Sequence, residues 1–373
     1  MSNGSGSNPY QSLVDEETPS WTFTSLGQGS REMSWERLYS EGLLVARDRF
    51  YIHNRATPPQ IDSAQWVLRI HGDGVAKATE LSFADVVAME PVSLLRVIDC
   101  GANGRSFFPP SSPEDPDKYE PIGGTLWQLG AAGGAEWTGA RFRDVLKAAG
   151  IKKKARSAVL TGLDSIGYQH LVPVDKMLED DSLLVYAFNG KPLPRDHGFP
   201  ARALFTGWGG NSMVKWLGDV KVSTKNLPIP AIQQKEQLLI GPSYPPKGIP
   251  ATVNGVKSAF EMPFDAVTTP GPQKLRGRSW SGHGTVVKVE VSVDGGKTWK
   301  KARLLEPRVE KFWVRWEYDW EAAAGVYTVM ARATDEKGNT QPKPGKVRWN
   351  EKGLGYDGIV PYRVRVVGTL ATC

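Results

Sequence analysis

The chain has 373 residues, 40% of them hydrophobic and 23% charged, and its net charge at neutral pH is +6. This composition is ordinary for a soluble globular protein, and the length is sufficient for two domains. The basic residues are scattered and form no tract interleaved with aromatic residues. This argues against a nucleic-acid partner and is compatible with attraction of a small anion.

The cysteines and the N-terminal residues limit the class of protein further. Cys100 and Cys373 provide neither a disulfide framework nor a zinc spacing, and no Cys-x-x-Cys-His motif for covalent haem is present. Cys373 is predicted to be an exposed terminal thiol. No apolar run reaches about 18 residues, so no membrane span is expected. Residues 1–8 contain no twin-arginine or apolar signal, which predicts a cytoplasmic protein if the chain is complete and a periplasmic one if a signal was removed.

The first half of the chain mixes short predicted strands with short predicted helices. After a polar N-terminal arm over residues 1–40, strands are predicted over residues 50–57, 66–72, 94–98, 158–160 and 183–188. Ser82 and Asp175 are predicted to begin short helices, and Thr138 to cap an amphipathic helix over residues 140–149. The Asn189-Gly190 pair is a hairpin turn signal. Together these elements predict an α+β arrangement.

One segment combines a cysteine with an arginine at the end of a buried strand. Cys100 follows the predicted strand over residues 94–98, and Arg105 lies five residues further along. A thiolate is a soft donor for a transition metal, and a guanidinium can hold an oxyanion through two hydrogen bonds. A buried structural cysteine before a turn is the alternative, and this segment by itself leaves both interpretations open. The loop over residues 106–126 is long enough to be functional.

The second half of the chain is predicted to be a β-sandwich. Residues 224–272 are rich in proline and have no helical period, which predicts a linker and a domain boundary near residue 228. Residues 288–293, 312–320 and 326–333 then alternate between apolar and polar side chains. About seven short strands separated by turns over roughly 100 residues are typical of a sandwich.

Five blocks of the sequence carry a resemblance to a known family. They are the segment around Cys100, Gly162-Leu163-Asp164, Arg195-Asp196-His197-Gly198-Phe199-Pro200, Val214-Lys215-Trp216-Leu217 and Asp294-Gly295-Gly296-Lys297-Thr298-Trp299. In this order they resemble the sulfite oxidase family of molybdenum enzymes. The resemblance implies a mixed α/β molybdopterin-binding domain over residues 41–227, with the sulfite oxidase fold, followed by an immunoglobulin-like β-sandwich dimerisation domain over residues 228–373.

The resemblance also implies a cofactor and its ligands. The family carries oxo-molybdenum held by one pterin dithiolene and one protein cysteinate, and Cys100 matches the cysteinate. The residues that match the pterin-binding positions are Tyr51, His53, Asn54, Asp164, His197, Arg202, Met213, Val214 and Lys215. A phosphate favours a guanidinium and an ammonium, and pterin nitrogens need fixed donors and acceptors. No haem is expected, because the cytochrome b5 domain of the animal enzymes is missing.

The implied substrate pocket departs from the family at one position. Arg105, Trp127 and Tyr168 match pocket residues of the family. Where the family often shows Arg-Asn-His, this chain has His53-Asn54-Arg55. Either Arg55 reaches the anion, or His53 supplies a weaker, pH-dependent charge. A further pocket arginine, Arg308 or Arg315, is expected from the second domain.

The activity implied by the resemblance is oxidation of sulfite to sulfate by oxygen-atom transfer. Electrons would pass to an external acceptor such as a cytochrome c, another carrier or dioxygen. The alternatives are a sulfane dehydrogenase-type subunit, a reductase of oxidised sulfur compounds, and a protein that only binds the cofactor. A homodimer is expected, with the aromatic-rich strands around Trp313 and Trp316 at its interface.

Overall fold

The structure, a computed structural model, describes residues 23–25, 29–38, 42–306 and 308–368. Cys373 and most of the predicted arm over residues 1–40 therefore lie outside the described residues. The α-helices in the described ranges are α1 (Phe83–Val87), α2 (Phe142–Ala148), α3 (Val174–Met177) and α4 (Ala231–Glu236). None of the helices in these ranges has the length and apolar content needed to cross a bilayer.

Thirteen strands lie in the described residues before residue 230. In chain order they are β1 (Phe23–Ser25), β2 (Ser30–Met33), β3 (Ile52–His53), β4 (Val67–His71), β5 (Thr79–Ser82), β6 (Pro91–Asp99), β7 (Ala132–Arg141), β8 (Ser157–Gly162), β9 (Gln169–Pro173), β10 (Ser182–Phe188), β11 (Lys191–Pro192), β12 (Arg202–Phe205) and β13 (Leu217–Ser223). One sheet has the order β11-β10-β7-β6, with β12 also beside β10, and the second has the order β5-β4-β13-β8-β9. A small sheet, β1-β2-β3, leads into the site.

Strand β10 shows why the two sheets stack. Its residues Leu183 and Val185 belong to one apolar core and Leu184 to the other, so both of its faces are buried. A strand buried on both faces reads as a continuous apolar run, as this one does. The core around Leu184 also contains apolar side chains of helices α1 to α3. This part of the molecule is the mixed α/β arrangement that the sequence predicts.

The chain after residue 237 forms a two-stranded sheet, β14-β15, and two larger, mainly antiparallel sheets. Its strands are β14 (Leu238–Leu239), β15 (Ile249–Pro250), β16 (Lys257–Phe260), β17 (Asp265–Thr268), β18 (Gly271–Trp280), β19 (Val286–Ser292), β20 (Lys300–Lys301), β21 (Arg303–Leu304), β22 (Val314–Ala322), β23 (Gly325–Asp335) and β24 (Tyr362–Val366). The sheets have the orders β16-β18-β22-β21 and β17-β24-β23-β19-β20. The predicted sandwich is confirmed, and its apolar core is continuous with that of the first sheet of the preceding domain.

The helix predicted to start at Thr138 is wrong in its first turn. Strand β7 continues to Arg141, and the hydroxyl groups of Thr138 and Ser93 lie 2.8 Å apart across β7 and β6. Helix α2 begins only at Phe142. The strand was missed because it is built from small residues: a Cβ on Gly134 would lie 2.5 Å from the Trp313 ring. Packing against an aromatic ring requires small residues in this strand, so the strand does not show the alternation of apolar and polar side chains by which strands are predicted.

The segment over residues 224–272 is more ordered than its proline content predicts. Helix α4 forms within it, and its one buried residue is Gln233. The Gln233 side-chain oxygen accepts a hydrogen bond of 2.8 Å from the Leu171 backbone N–H of β9. A polar anchor of this kind leaves no apolar period in the sequence, which is why no helix was predicted here.

The predicted role of Trp313 and Trp316 at a dimer interface is wrong. Their side chains are 2% and 0% exposed, respectively. The Trp313 indole donates a 2.8 Å hydrogen bond to the Leu43 carbonyl, and the Trp316 indole donates a 2.9 Å bond to the Ser279 hydroxyl. Both rings are core residues, so a dimer must use other surfaces.

Candidate active site

The loop after β6 presents Cys100 to a pocket. Asp99, the last residue of β6, bridges to Gly209, and the Cys100 N–H donates a 2.9 Å hydrogen bond to the Ala131 carbonyl. The Cys100 side chain is 6% exposed, and burial is the main cause that raises the pKa of its thiol. Gly101 is required by close packing, because a Cβ there would lie 2.5 Å from the Asn211 side-chain oxygen. The thiol is thus held rigidly at the wall of the pocket.

A buried polar network around Asp99, which the sequence analysis did not predict, holds this loop in position. The Asp99 carboxylate lies 2.9 Å from the Lys257 ammonium of β16 and accepts hydrogen bonds from the Asn103 amide (2.9 Å) and the Trp280 indole (3.2 Å). The Asn254 amide donates a 2.8 Å bond to the Asp99 backbone carbonyl. Three of these partners lie after residue 250, so the second half of the chain fixes the position of the cysteine loop.

The side chains of His197, Arg202 and Lys215 line the inner end of the pocket. The Arg202 guanidinium donates to the carbonyls of His197 (3.1 Å) and Met213 (3.3 Å), and the Lys215 ammonium donates to the carbonyls of His53 (2.9 Å) and Asp196 (2.8 Å). Burial lowers the pKa of Arg202 to about 10 and that of Lys215 to about 7, the latter with help from Arg202. These groups are poorly neutralised by the protein, so an anionic partner would stabilise their charged forms.

The inner pocket also contains buried polar atoms that lack a partner within the described residues. They are Nε2 of His197, Nε of Arg202 and both polar atoms of the Asn211 side-chain amide. The His197 Nδ1 atom is 2.7 Å from the Asp196 carboxylate, which orients the ring so that Nε2 faces the pocket. Buried polar groups are ordinarily hydrogen-bonded. Unpaired donors and acceptors beside two cations and one thiol fit a ligand that carries a phosphate, polar ring atoms and a thiol-accepting metal, as molybdopterin does.

The mouth of the pocket has a different set of side chains. Arg55 forms an ion pair with Glu236 of α4, and its guanidinium carbon lies 5.2 Å from the centre of the Tyr168 ring. The Tyr168 hydroxyl donates a 2.6 Å hydrogen bond to the Asn211 carbonyl and accepts one from the Gln237 amide. Burial raises the pKa of Tyr168 to about 12, so the hydroxyl remains a donor at neutral pH.

Arg105 and Trp127 also line the pocket. The Arg105 guanidinium donates a 3.3 Å hydrogen bond to the Thr125 carbonyl, and its Nε has no partner among the described residues. Trp127 is fully buried, and its ring meets His53 edge to face with centroids 5.4 Å apart. These side chains form a wall and a second guanidinium in reach of the same space.

Most residues predicted for the site line one pocket, whose empty space of about 1000 Å³ is partly open to solvent. Those that line it are Tyr51, His53, Asn54, Arg55, Cys100, Arg105, Trp127, Asp164, Tyr168, His197, Arg202, Met213 and Lys215. The side chain of Val214 does not, because it packs in the apolar core between the two sheets. The sequence analysis missed Asn211, Glu236 and Gln237, which also line the pocket.

Neither arginine expected from the second domain lines this pocket. Arg308 is exposed, and Arg315 forms an ion pair with Glu306. The second domain contributes Leu354 instead, and the neighbouring Gly355 N–H donates a 2.7 Å hydrogen bond to the Gly101 carbonyl. Sequence periodicity cannot predict such a contact, because the contact joins a loop near the C-terminus to the cysteine loop.

The environment of His53 contradicts its predicted role as a pH-dependent cation. Burial, followed by the charges of Arg55, Lys215 and Arg105, lowers the pKa of its imidazole to about 3. The ring Nδ1 lies 2.8 Å from the Ser30 hydroxyl. The imidazole is therefore neutral at neutral pH, and Arg55 is the better candidate for contact with an anion.

We expect the His53 ring to remain neutral throughout the range in which an exposed histidine titrates. Its proton resonances, identified by comparison with His53→Gln, will show no titration between about pH 5 and pH 8. The unfolded chain protonates this ring near 6.5, so the stability linked to it is complete above that pH and is lost as the pH falls towards 3. A titration midpoint near the ordinary histidine value would contradict this assignment.

Comparisons with known proteins identify the family of both halves of the chain. Residues 54–230 match the oxidoreductase molybdopterin binding domain, and residues 256–367 match the Mo-co oxidoreductase dimerisation domain. Sulfite oxidase of Gallus gallus is 32% identical over 340 residues, which cover 85% of this chain and 72% of that protein. Mitochondrial sulfite oxidase of Homo sapiens is 30% identical over 341 residues, which cover 85% of this chain but only 61% of its own length.

A solved structure shows the same fold. The sulfane dehydrogenase SoxCD from Paracoccus pantotrophus aligns over 98% of this chain and 93% of its own, with a TM-score of 0.78 and 23% sequence identity. The nitrate reductase of Hordeum vulgare is 27% identical over 358 residues, which cover 39% of that protein. Similar chains therefore occur in proteins that are named for different substrates.

Proposed function

Because the chain belongs to the sulfite oxidase family of molybdopterin oxidoreductases, we propose that it oxidises sulfite to sulfate and passes the electrons to an external acceptor. The observation that carries the proposal is the convergence of Cys100, two guanidinium groups and the Tyr168 hydroxyl on one pocket. The cofactor of this family is Mo-molybdopterin. This chain also contains the dimerisation domain of the family.

We assign the inner end of the pocket to the cofactor and the mouth to the substrate. Cys100 would bind the metal, while Arg202, Lys215 and His197 would hold the phosphate and ring atoms of the pterin. When bound, the cofactor supplies oxygen-atom transfer to sulfur and accepts two electrons. The buried unpaired atoms of His197, Arg202 and Asn211 support this assignment, because a ligand is needed to satisfy them.

At the mouth, the chain's own residues bind and orient the oxyanion. Arg55 and Arg105 would neutralise its charge, and the buried Trp127 would exclude water from one side. The Tyr168 hydroxyl can donate to an anion oxygen if it turns away from the Asn211 carbonyl, and the Gln237 amide keeps it in position. With a pKa of about 12 it acts as a hydrogen-bond donor and not as a general base.

Metal analysis combined with an activity assay tests the proposed function. Protein purified from a host that makes molybdopterin should contain one molybdenum per chain and reduce ferricyanide in a sulfite-dependent reaction. Absence of molybdenum, or of sulfite-dependent reduction by molybdenum-loaded protein, would contradict it. A second candidate is oxidation of a less charged sulfur compound, which the neutral His53 ring favours, and the same assay with a singly charged sulfinate such as methanesulfinate separates the two.

Replacing Arg55 with alanine should raise the KM for sulfite by about ten-fold, because a charge-assisted hydrogen bond is worth roughly 1.5–3 kcal/mol. Steady-state kinetics with ferricyanide measure this change. Arg69→Ala is the matched control, since Arg69 is exposed on β4, pairs with Asp219 and does not line the pocket. If both variants show the same KM as the wild type, Arg55 does not contact the substrate.

A further inference from the structure

Helix α4 delivers two side chains to the mouth of the pocket in a fixed position. Gln237, which directly follows the helix, accepts a 2.9 Å hydrogen bond at its carbonyl from the Ala251 N–H, and its side chain donates to the Tyr168 hydroxyl. Gln233 ties the same helix to β9 through the Leu171 N–H. Glu236, between these two anchors, is therefore held over the pocket by the structure of the linker.

The Glu236 carboxylate pairs with the Arg55 guanidinium, which would otherwise bind the substrate. It forms an ion pair with Arg55, and the two side chains are 30% and 29% exposed, respectively. The contact of Arg55 with the Tyr168 ring keeps the guanidinium on the same side of the mouth. An incoming oxyanion must either displace this carboxylate or bind beside it.

The charge at the mouth is consequently smaller than the number of arginines indicates. A second cavity, the outer groove, adjoins this pocket. The residues that line both are His53, Asn54, Arg55, Arg105 and Glu236. Two of these carry positive charge, one carries negative charge, and the His53 ring is neutral. Over these five residues the sum is one positive charge, half of what the two guanidinium groups would supply without Glu236, and a smaller positive charge attracts a doubly charged anion less strongly.

We propose that Glu236 is a specificity-determining residue that disfavours doubly charged oxyanions relative to singly charged or neutral sulfur compounds. The proposal rests on the proposed function, since it assigns the mouth of the pocket to the substrate. The Glu236 carboxylate would act by subtracting from the field that the Arg55 and Arg105 guanidinium groups create at the mouth.

The test is the substitution Glu236→Gln in the molybdenum-loaded enzyme, with binding measured by calorimetry and turnover by ferricyanide reduction. Two tetrahedral anions of nearly equal shape but different charge, sulfate and methanesulfonate, serve as probes. Coulomb energy scales with the ligand charge, so we expect the Kd of methanesulfonate to fall by roughly two- to three-fold and that of sulfate by about four- to nine-fold. The KM for sulfite should fall along with the sulfate Kd.

Glu351→Gln is the matched control, because Glu351 lines the outer groove but not the inner pocket and pairs with Lys352 at 3.2 Å. It should leave both dissociation constants unchanged. Equal changes for the two anions in Glu236→Gln, no change, or weaker sulfate binding would each overturn the proposal. If the wild-type enzyme fails to oxidise sulfite, the proposed function fails, whereas the comparison of the two anions still decides the role of Glu236.

Discussion

Replacing Cys100 with serine is expected to abolish sulfite oxidation while the fold is retained. The side chain is buried at the pocket wall, and a hydroxyl of nearly the same size is a poor ligand for a metal that prefers thiolate. Loss of residues that only support a metal ligand already reduces activity by about 10- to 100-fold, so loss of the ligand itself should exceed that range. Ferricyanide reduction and bound molybdenum should both be measured, together with the circular dichroism spectrum.

The matched control for this variant is Cys373→Ser, which replaces the other cysteine of the chain. We expect it to keep wild-type activity and metal content, since Cys373 matches no cofactor position of the family. Turnover by Cys100→Ser near the wild-type rate would remove Cys100 from the metal site. A loss of native circular dichroism would instead show that the thiol is needed for packing.

Replacing Lys257 with methionine is expected to destabilise the protein by about 3–5 kcal/mol, because it leaves the Asp99 carboxylate buried without its counter-charge. The two side chains are 2% and 5% exposed, and their charged atoms are 2.9 Å apart. Urea unfolding followed by tryptophan fluorescence measures the change. Trp280, one of the 13 tryptophans of the chain, donates to the same carboxylate and contributes to this signal.

Two further variants separate the charge of Lys257 from its packing. Lys288→Met removes a lysine from a pair with Glu290 that is 45% exposed on the lysine side, and should cost less than about 1 kcal/mol. Adding Asp99→Asn to Lys257→Met removes the stranded charge and should recover part of the lost stability. Equal destabilisation by Lys257→Met and Lys288→Met would show that the buried pair contributes no more than a surface pair.

The family, the cofactor and most of the residues that line the pocket were predictable because the resemblance to the family is carried by short blocks of sequence. The Cys100 thiol directly follows a strand, and the His197 turn and the Lys215 block are each only a few residues long. Each block can be identified from its own residues alone. Alternation and apolar runs likewise predicted β10, β19 and β23, since a strand that packs against a core shows this in its own residues.

Other features depend on contacts between residues distant in sequence, and only the tertiary structure decided them. Small residues in β7 are selected by an aromatic ring of the second domain, α4 is anchored by a glutamine, and Lys257 finds Asp99 across 158 positions of the chain. The domain boundaries at residues 41 and 228 remain predictions.

The sequence by itself, through its resemblance to a known family, determined the family and the molybdopterin cofactor. That Cys100 and the arginines form the site stays a prediction. The tertiary structure decided the charge of that site. It buries His53 among cations so that the ring is neutral, and it brings Glu236 from the linker to Arg55. A side chain's ionisation depends on burial and on the charges around it, and neither is a property of its neighbours in the sequence.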